Sequence, residues 1–107
     1  MTTSNTPRIA MLGFGEAGRA FVSGWGASAQ SRVAAYDIKA ADPALAPGFA
    51  TAAAERGVAC HATPEPALAG ANVAFCLVTA DQALAAARAA APHLPPGLVW
   101  LDGNSCA

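Results

Sequence analysis

The sequence predicts an α/β domain, a doubly wound parallel sheet of five strands in the order 3-2-1-4-5 with helices on both faces. Three observations lead there. Short apolar runs alternate with helix-compatible stretches along the whole chain. Three closely spaced glycines follow the first apolar run at once, and an aspartate closes the second.

The first strand is Arg8-Ile9-Ala10-Met11-Leu12, stopped by Gly13. A helix follows from about Glu16 to Trp25, with Phe21, Val22 and Trp25 spaced to share one face. Gly24 and Gly26 weaken its end, and Ser28 to Ser31 reads as a turn. Val33 to Tyr36 is the second strand, ending at Asp37. Asp42-Pro43 reads as a helix opening, with Gly57 as its C-cap. Pro47-Gly48 lies inside that stretch, so either a loop comes first or the helix is broken. Val58 to His61 is the third strand, and Thr63-Pro64-Glu65-Pro66 opens a short helix ending near Gly70. Val73 to Val78 is apolar throughout, as a strand buried on both faces requires. Asp81 is placed to cap a helix reaching about Ala91. A loop with Pro92, Pro95, Pro96 and Gly97 leads to the last strand, Leu98 to Leu101, after which Asp102 to Ala107 reads as a loop cut short.

A chain of 107 residues has the length of one domain, here residues 1–107 with a polar tail over 1–6. Its hydrophobic fraction of 54% overstates the bulk available, because much of it is alanine. The core must therefore lean on Ile9, Leu12, Val33, Val58, Phe75, Leu77, Val99 and Leu101. The 6 basic and 7 acidic residues are scattered, which argues against nucleic acid and anionic membrane as partners. Apolar runs fall short of a bilayer span, and the tail lacks a signal-peptide layout, so a cytoplasmic protein is expected. Cys60, Cys76 and Cys106 show no metal-ligand spacing; no metal is expected, all three read as structural or incidental, and the two within apolar strand-like runs, Cys60 and Cys76, read as small hydrophobes.

The chemistry lies in Gly13-Phe14-Gly15-Glu16-Ala17-Gly18. A G-x-G-x-x-G pattern is weak evidence alone, but between a strand and a helix it becomes the dinucleotide fingerprint of a Rossmann sheet. Gly13 permits the turn, Gly15 leaves room for the pyrophosphate, and Gly18 lets the helix pack closely. Amide N–H groups of the first helical turn face the phosphates, where the helix dipole adds roughly half a positive charge. Glu16 would repel phosphate if it faced the ligand, so its side chain is expected in solvent or at the helix cap.

Asp37 stands about 20 residues beyond the glycines, where a carboxylate accepts from the adenosine ribose hydroxyls. It repels a 2′-phosphate, and of the nearby cations only Lys39 is placed to compete, so NAD is favoured over NADP. Ile38 and Lys39 complete the expected contacts on this side. The bland alternative is a glycine turn with no ligand and an aspartate that merely caps a loop.

With both the glycine turn and the last loop in view, the chain resembles the N-terminal domain of the 6-phosphogluconate dehydrogenase and β-hydroxyacid dehydrogenase superfamily, from Ile9 to Ser105. The resemblance rests on Gly13 to Gly18, Asp37, Val78-Thr79-Ala80 and Asp102-Gly103-Asn104-Ser105. That last segment is similar to the D-G-G-N-S loop of 6-phosphogluconate dehydrogenases with one glycine fewer, and Cys106-Ala107 depart from that subgroup. The resemblance implies that Val78, Thr79 and Ala80 run past the nicotinamide ribose, with Asn104 and Ser105 near nicotinamide and substrate. A turn asparagine is an equal reading of Asn104.

The resemblance further implies an NAD(P)-dependent oxidoreductase acting on a small hydroxyacid, homodimeric at full length. Its lysine base and Ser-Gly-Gly segment would come from a downstream helical domain beyond this chain. Lys39 belongs to the adenosine side, and His61 and His93 lack sequence partners for catalysis, so a chain that binds cofactor without turning over substrate is expected. The alternative is a stand-alone NAD(H)-sensing regulatory domain without catalysis; a structural module with a dead site is a third reading.

Overall fold

The computed structural model describes residues 7–26, 30 and 32–103. The tail over 1–6, the turn expected at Ser28 to Ser31 except Gln30, and Asn104, Ser105 and Cys106 lie outside the described residues. Strands β1 (Ile9–Leu12), β2 (Val33–Tyr36), β3 (Ala59–His61), β4 (Val73–Cys76) and β5 (Val99–Asp102) form one sheet in the order β3-β2-β1-β4-β5. Every neighbouring pair is parallel, with Ile9 opposite both Val33 and Val73. Helices α1 (Glu16–Trp25), α2 (Ala46–Glu55), α3 (Pro64–Leu68) and α4 (Ala83–Ala90) connect them.

The two-residue period of β1 divides the interior into two cores. Ile9 and Met11 pack with Phe14, Val22, Val33, Ala35, Phe49, Ala52, Ala53 and Val58, under α1 and α2. Ala10 and Leu12 pack with Leu68, Ala71, Ala74 and Ala90, under α3 and α4. Alanine lines much of the second core, which brings those helices close to the strands.

Several expectations are corrected. Asp42 opens no helix: its carboxylate accepts from the Ala44 N–H at 2.9 Å, a local turn. The helix starts at Ala46 instead, with Pro47 at its tolerated N-terminal position. Asp81 does not cap α4; it lies in a 3-10 turn over Ala80–Gln82, and Gln82 precedes the helix without a side-chain cap. Phe21 is 46% exposed, although Val22 beside it is fully buried. It lies on the flank of α1, with its ring centroid 6.2 Å from those of both Trp25 and Phe75. Val99 and Leu101 are 53% and 42% exposed, because β5 is the sheet edge. Cys60 is exposed on the other edge strand, so it does not act as a core hydrophobe, whereas Cys76 is buried.

Candidate functional site

The site forms at the carboxyl ends of the paired strands β1 and β4, where the chain leaves them toward opposite halves of the sheet. In open parallel sheets that point leaves a crevice at the carboxyl ends of the strands. The backbone ladder runs straight into it: the Leu77 N–H donates to the Leu12 carbonyl at 2.8 Å, and the Gly13 N–H to the Tyr36 carbonyl at 2.7 Å.

Gly13 then turns the chain with φ +97°, a conformation that L side chains rarely adopt. A Cβ on it would stand 2.6 Å from the Leu77 carbonyl oxygen, so the exit from β4 presses against the turn. A Cβ on Gly18 would meet the Gly13 carbonyl oxygen at 2.6 Å. Gly18 therefore brings α1 close to the turn itself. Gly15 differs: its Cβ would find only the Lys39 Nζ, at 3.8 Å. Apart from that flexible ammonium the space over Gly15 is open, as a cradle for a ligand backbone requires.

Gly15 is also the N-cap of α1 and makes no side-chain cap bond. No side chain of the cap thus accepts from the first-turn N–H groups, which are the donors an anion needs. Arg19 folds back on the same residue, its backbone N–H and its Nε reaching the Gly15 carbonyl at 3.0 and 3.2 Å.

Asp37 faces this turn and is 7% exposed. Its Oδ2 accepts from the Phe14 N–H at 2.7 Å and its Oδ1 from the Lys39 N–H at 2.9 Å, capping a 3-10 turn over Ile38–Ala41. A carboxylate offers about four acceptor positions, so room remains for hydroxyl donors.

A groove of about 430 Å³ runs along these residues. Gly13, Gly15, Asp37, Ile38, Lys39, Val78 and Thr79, all expected at the site, line it together. Phe14 does not line it: its N–H is held by Asp37, and its ring is buried edge-on against Phe49, at 6.0 Å between centroids. Glu16 and Ala17 are exposed, and the Glu16 carboxylate borders a separate depression with Arg19, Ser23 and Arg56. Ala80 begins the 3-10 turn after β4. His61 ends β3 and His93 closes a 3-10 turn after α4; neither lines the groove. Among the described residues, no group of three His, Cys, Asp or Glu side chains is placed to hold a metal ion, and no helix is long and apolar enough to cross a membrane.

Residue-type reasoning missed other residues of the lining: Tyr36, Pro64, Gln82, Ala85, Ala86 and Ala89. Pro64 and Gln82 could have been found from their places just beyond β3 and β4. The alanines of α4 carry no such signal. Burial raises the Tyr36 phenol above its ordinary range, and the charge of Asp37 adds to this. Tyr36 is the single tyrosine, so an absorbance titration reads it directly: its midpoint should lie above 10.0, and Tyr36→Phe should abolish the step. The protonated phenol is favoured by folding, so this contribution to stability is complete below the unfolded value and is lost as pH rises through the folded one.

No protein-family model matches the chain, and no curated protein does. Solved structures do. A conserved hypothetical protein from Sinorhizobium meliloti 1021 is 38% identical over 94% of this chain, with a TM-score of 0.86. Mycobacterium tuberculosis 3-hydroxyisobutyrate dehydrogenase, solved with L-serine, is 26% identical over 92% of it, with a TM-score of 0.70. A reductive aminase from Aspergillus terreus, solved with NADPH, shares the fold at 20% identity over 94%, with a TM-score of 0.64. The chain spans 33%, 32% and 33% of the lengths of these three, about a third in each case.

Proposed function

We propose that this chain is the N-terminal dinucleotide-binding domain of a protein of the 3-hydroxyisobutyrate and 6-phosphogluconate dehydrogenase-like superfamily, and that it holds NAD for an oxidoreductase of that type. One observation carries the proposal. A glycine turn that caps a helix without a side chain sits directly against a buried carboxylate, and both line an open groove. That combination suits a diphosphate joined to a ribose.

In this reading the first-turn N–H groups of α1 bind the diphosphate and Asp37 accepts from the adenosine ribose. Ile38, Pro64 and the alanines of α4 make an apolar slot for adenine. Val78 and Thr79 lead toward the nicotinamide ribose, followed in the chain by Ala80. The bound nicotinamide supplies hydride chemistry. The substrate of the whole protein is a small 3-hydroxy acid, and its base and dimer contacts come from residues outside this domain.

Titration with NADH, read through quenching of the 2 tryptophans, tests the binding claim. Saturable binding is expected, and no binding at millimolar NADH would rule it out.

NAD is preferred over NADP because the Asp37 carboxylate repels a 2′-phosphate. NADH should bind about tenfold more tightly than NADPH, the factor that roughly 1.4 kcal/mol produces. The Lys39 ammonium, standing over Gly15, belongs to the diphosphate in this reading. Lys39→Ala should therefore weaken NADH and NADPH alike, by about fivefold or less for an exposed charge. A loss confined to NADPH would assign the lysine to the 2′-phosphate instead.

A further inference from the structure

The glycine turn is tied to the end of β2 by two successive bonds. The Gly13 N–H donates to the Tyr36 carbonyl at 2.7 Å, and the Phe14 N–H donates to the Asp37 carboxylate at 2.7 Å. The first is an extension of the sheet ladder. The second is a side-chain bond between residues 23 apart in sequence, made where Asp37 is 7% exposed and Phe14 is 3% exposed. Little water can replace it, and a buried N–H without an acceptor is costly.

Phe14 is held from two sides. Its ring is packed against Phe49, and its amide is held by Asp37. The next residue is Gly15, whose orientation sets where the first-turn N–H groups of α1 point. The other carboxylate oxygen is held by the Lys39 N–H, so the clamp cannot swing away with its side chain.

We propose that Asp37 is a positioning residue for the diphosphate, acting through Phe14, in addition to any contact with ribose. It prearranges the glycine turn before ligand arrives. The proposal rests on the dinucleotide reading above and adds a role that needs no ribose at all. The Phe14 N–H, spent on Asp37, is accordingly not a phosphate donor.

A ligand with the diphosphate and without the ribose separates the two roles. Inorganic pyrophosphate and NADH would be titrated by calorimetry against the protein and its Asp37→Asn and Asp37→Ala variants. Hydrogen exchange at the Phe14 amide would be followed by NMR. A charged acceptor binds an N–H about twice as strongly as a neutral one. Pyrophosphate affinity should therefore fall in the order parent, Asp37→Asn, Asp37→Ala, by on the order of tenfold overall, while Phe14 exchange quickens in the same order.

Loss of NADH affinity with unchanged pyrophosphate affinity and unchanged Phe14 exchange would overturn the proposal and leave Asp37 a ribose ligand only. If Asp37→Ala does not fold, the parent and Asp37→Asn decide: equal pyrophosphate affinity overturns it. Pyrophosphate that fails to displace NADH from the parent also overturns it. A parent that binds neither ligand instead removes the dinucleotide reading, while quickened Phe14 exchange in the variants would still show the clamp.

Discussion

Gly13→Ala is expected to lose both stability and dinucleotide binding, whereas Gly15→Ala should lose binding alone. At Gly13 the backbone sits at φ +97°, and a Cβ would approach the Leu77 carbonyl oxygen to 2.6 Å. The added Cβ is fixed rigidly to the turn, and the oxygen it meets is backbone at the exit of β4, so neither atom can swing aside. Relief requires β1 and β4 to separate or the turn to leave its left-handed conformation. Strain of this kind costs on the order of 1–3 kcal/mol before the clash is counted. A domain of ordinary stability has only about 5–15 kcal/mol in total.

Gly15 gives the contrast. Its φ is -85°, in extended backbone, and a Cβ there would meet only the Lys39 Nζ at 3.8 Å. Alanine fits the ligand-free chain but fills space over the cradle. Thermal melting and NADH titration of the two variants check this. A Gly15→Ala variant with undiminished NADH affinity would mean that the ligand does not approach that backbone.

Leu68→Ala is expected to give the largest purely structural loss. Leu68 is fully buried in α3. The buried part of its cluster is mostly Ala10, Ala71, Ala74 and Ala90, with Leu12 the other large buried side chain and Tyr36, Leu98 and Trp100 packed around it. The alanines have no side-chain freedom with which to fill the space left behind. Truncating a buried leucine costs about 2–5 kcal/mol, and more when the cavity persists. For a domain of this size that lowers the melting temperature by roughly 10 °C or more. Leu101→Ala, at a position 42% exposed on the sheet edge, should change stability by only about 0.5 kcal/mol. Denaturant unfolding of both variants tests the comparison; equal losses would mean that the edge is as well packed as the interior.

Much of the fold was legible before the structure. The strand order β3-β2-β1-β4-β5 and the bounds of α1, Glu16–Trp25, are those the residue pattern predicts. Helix starts were less legible. Asp42 and Asp81 both look like N-caps, yet an aspartate also closes local turns, and at Asp42 the nearby Ala44 N–H captures the carboxylate. Exposure on β5 was illegible because valine and leucine at a sheet edge have the same alternation as in its centre.

By itself the sequence determined the order of the elements, the glycine turn between β1 and α1, and the acid at the end of β2. These are local properties, written in periods of two and about 3.6 residues and in glycines that permit particular backbone angles. Only the tertiary structure decided that Phe14 points into the core and spends its N–H on Asp37, that α4 lends an alanine wall to the groove, and that Val99 and Leu101 stay exposed. Each of these depends on which distant segment arrives beside a residue. Burial and hydrogen bonding across such separations belong to packing, and an alanine or a backbone amide carries no mark in sequence of the partner it will meet.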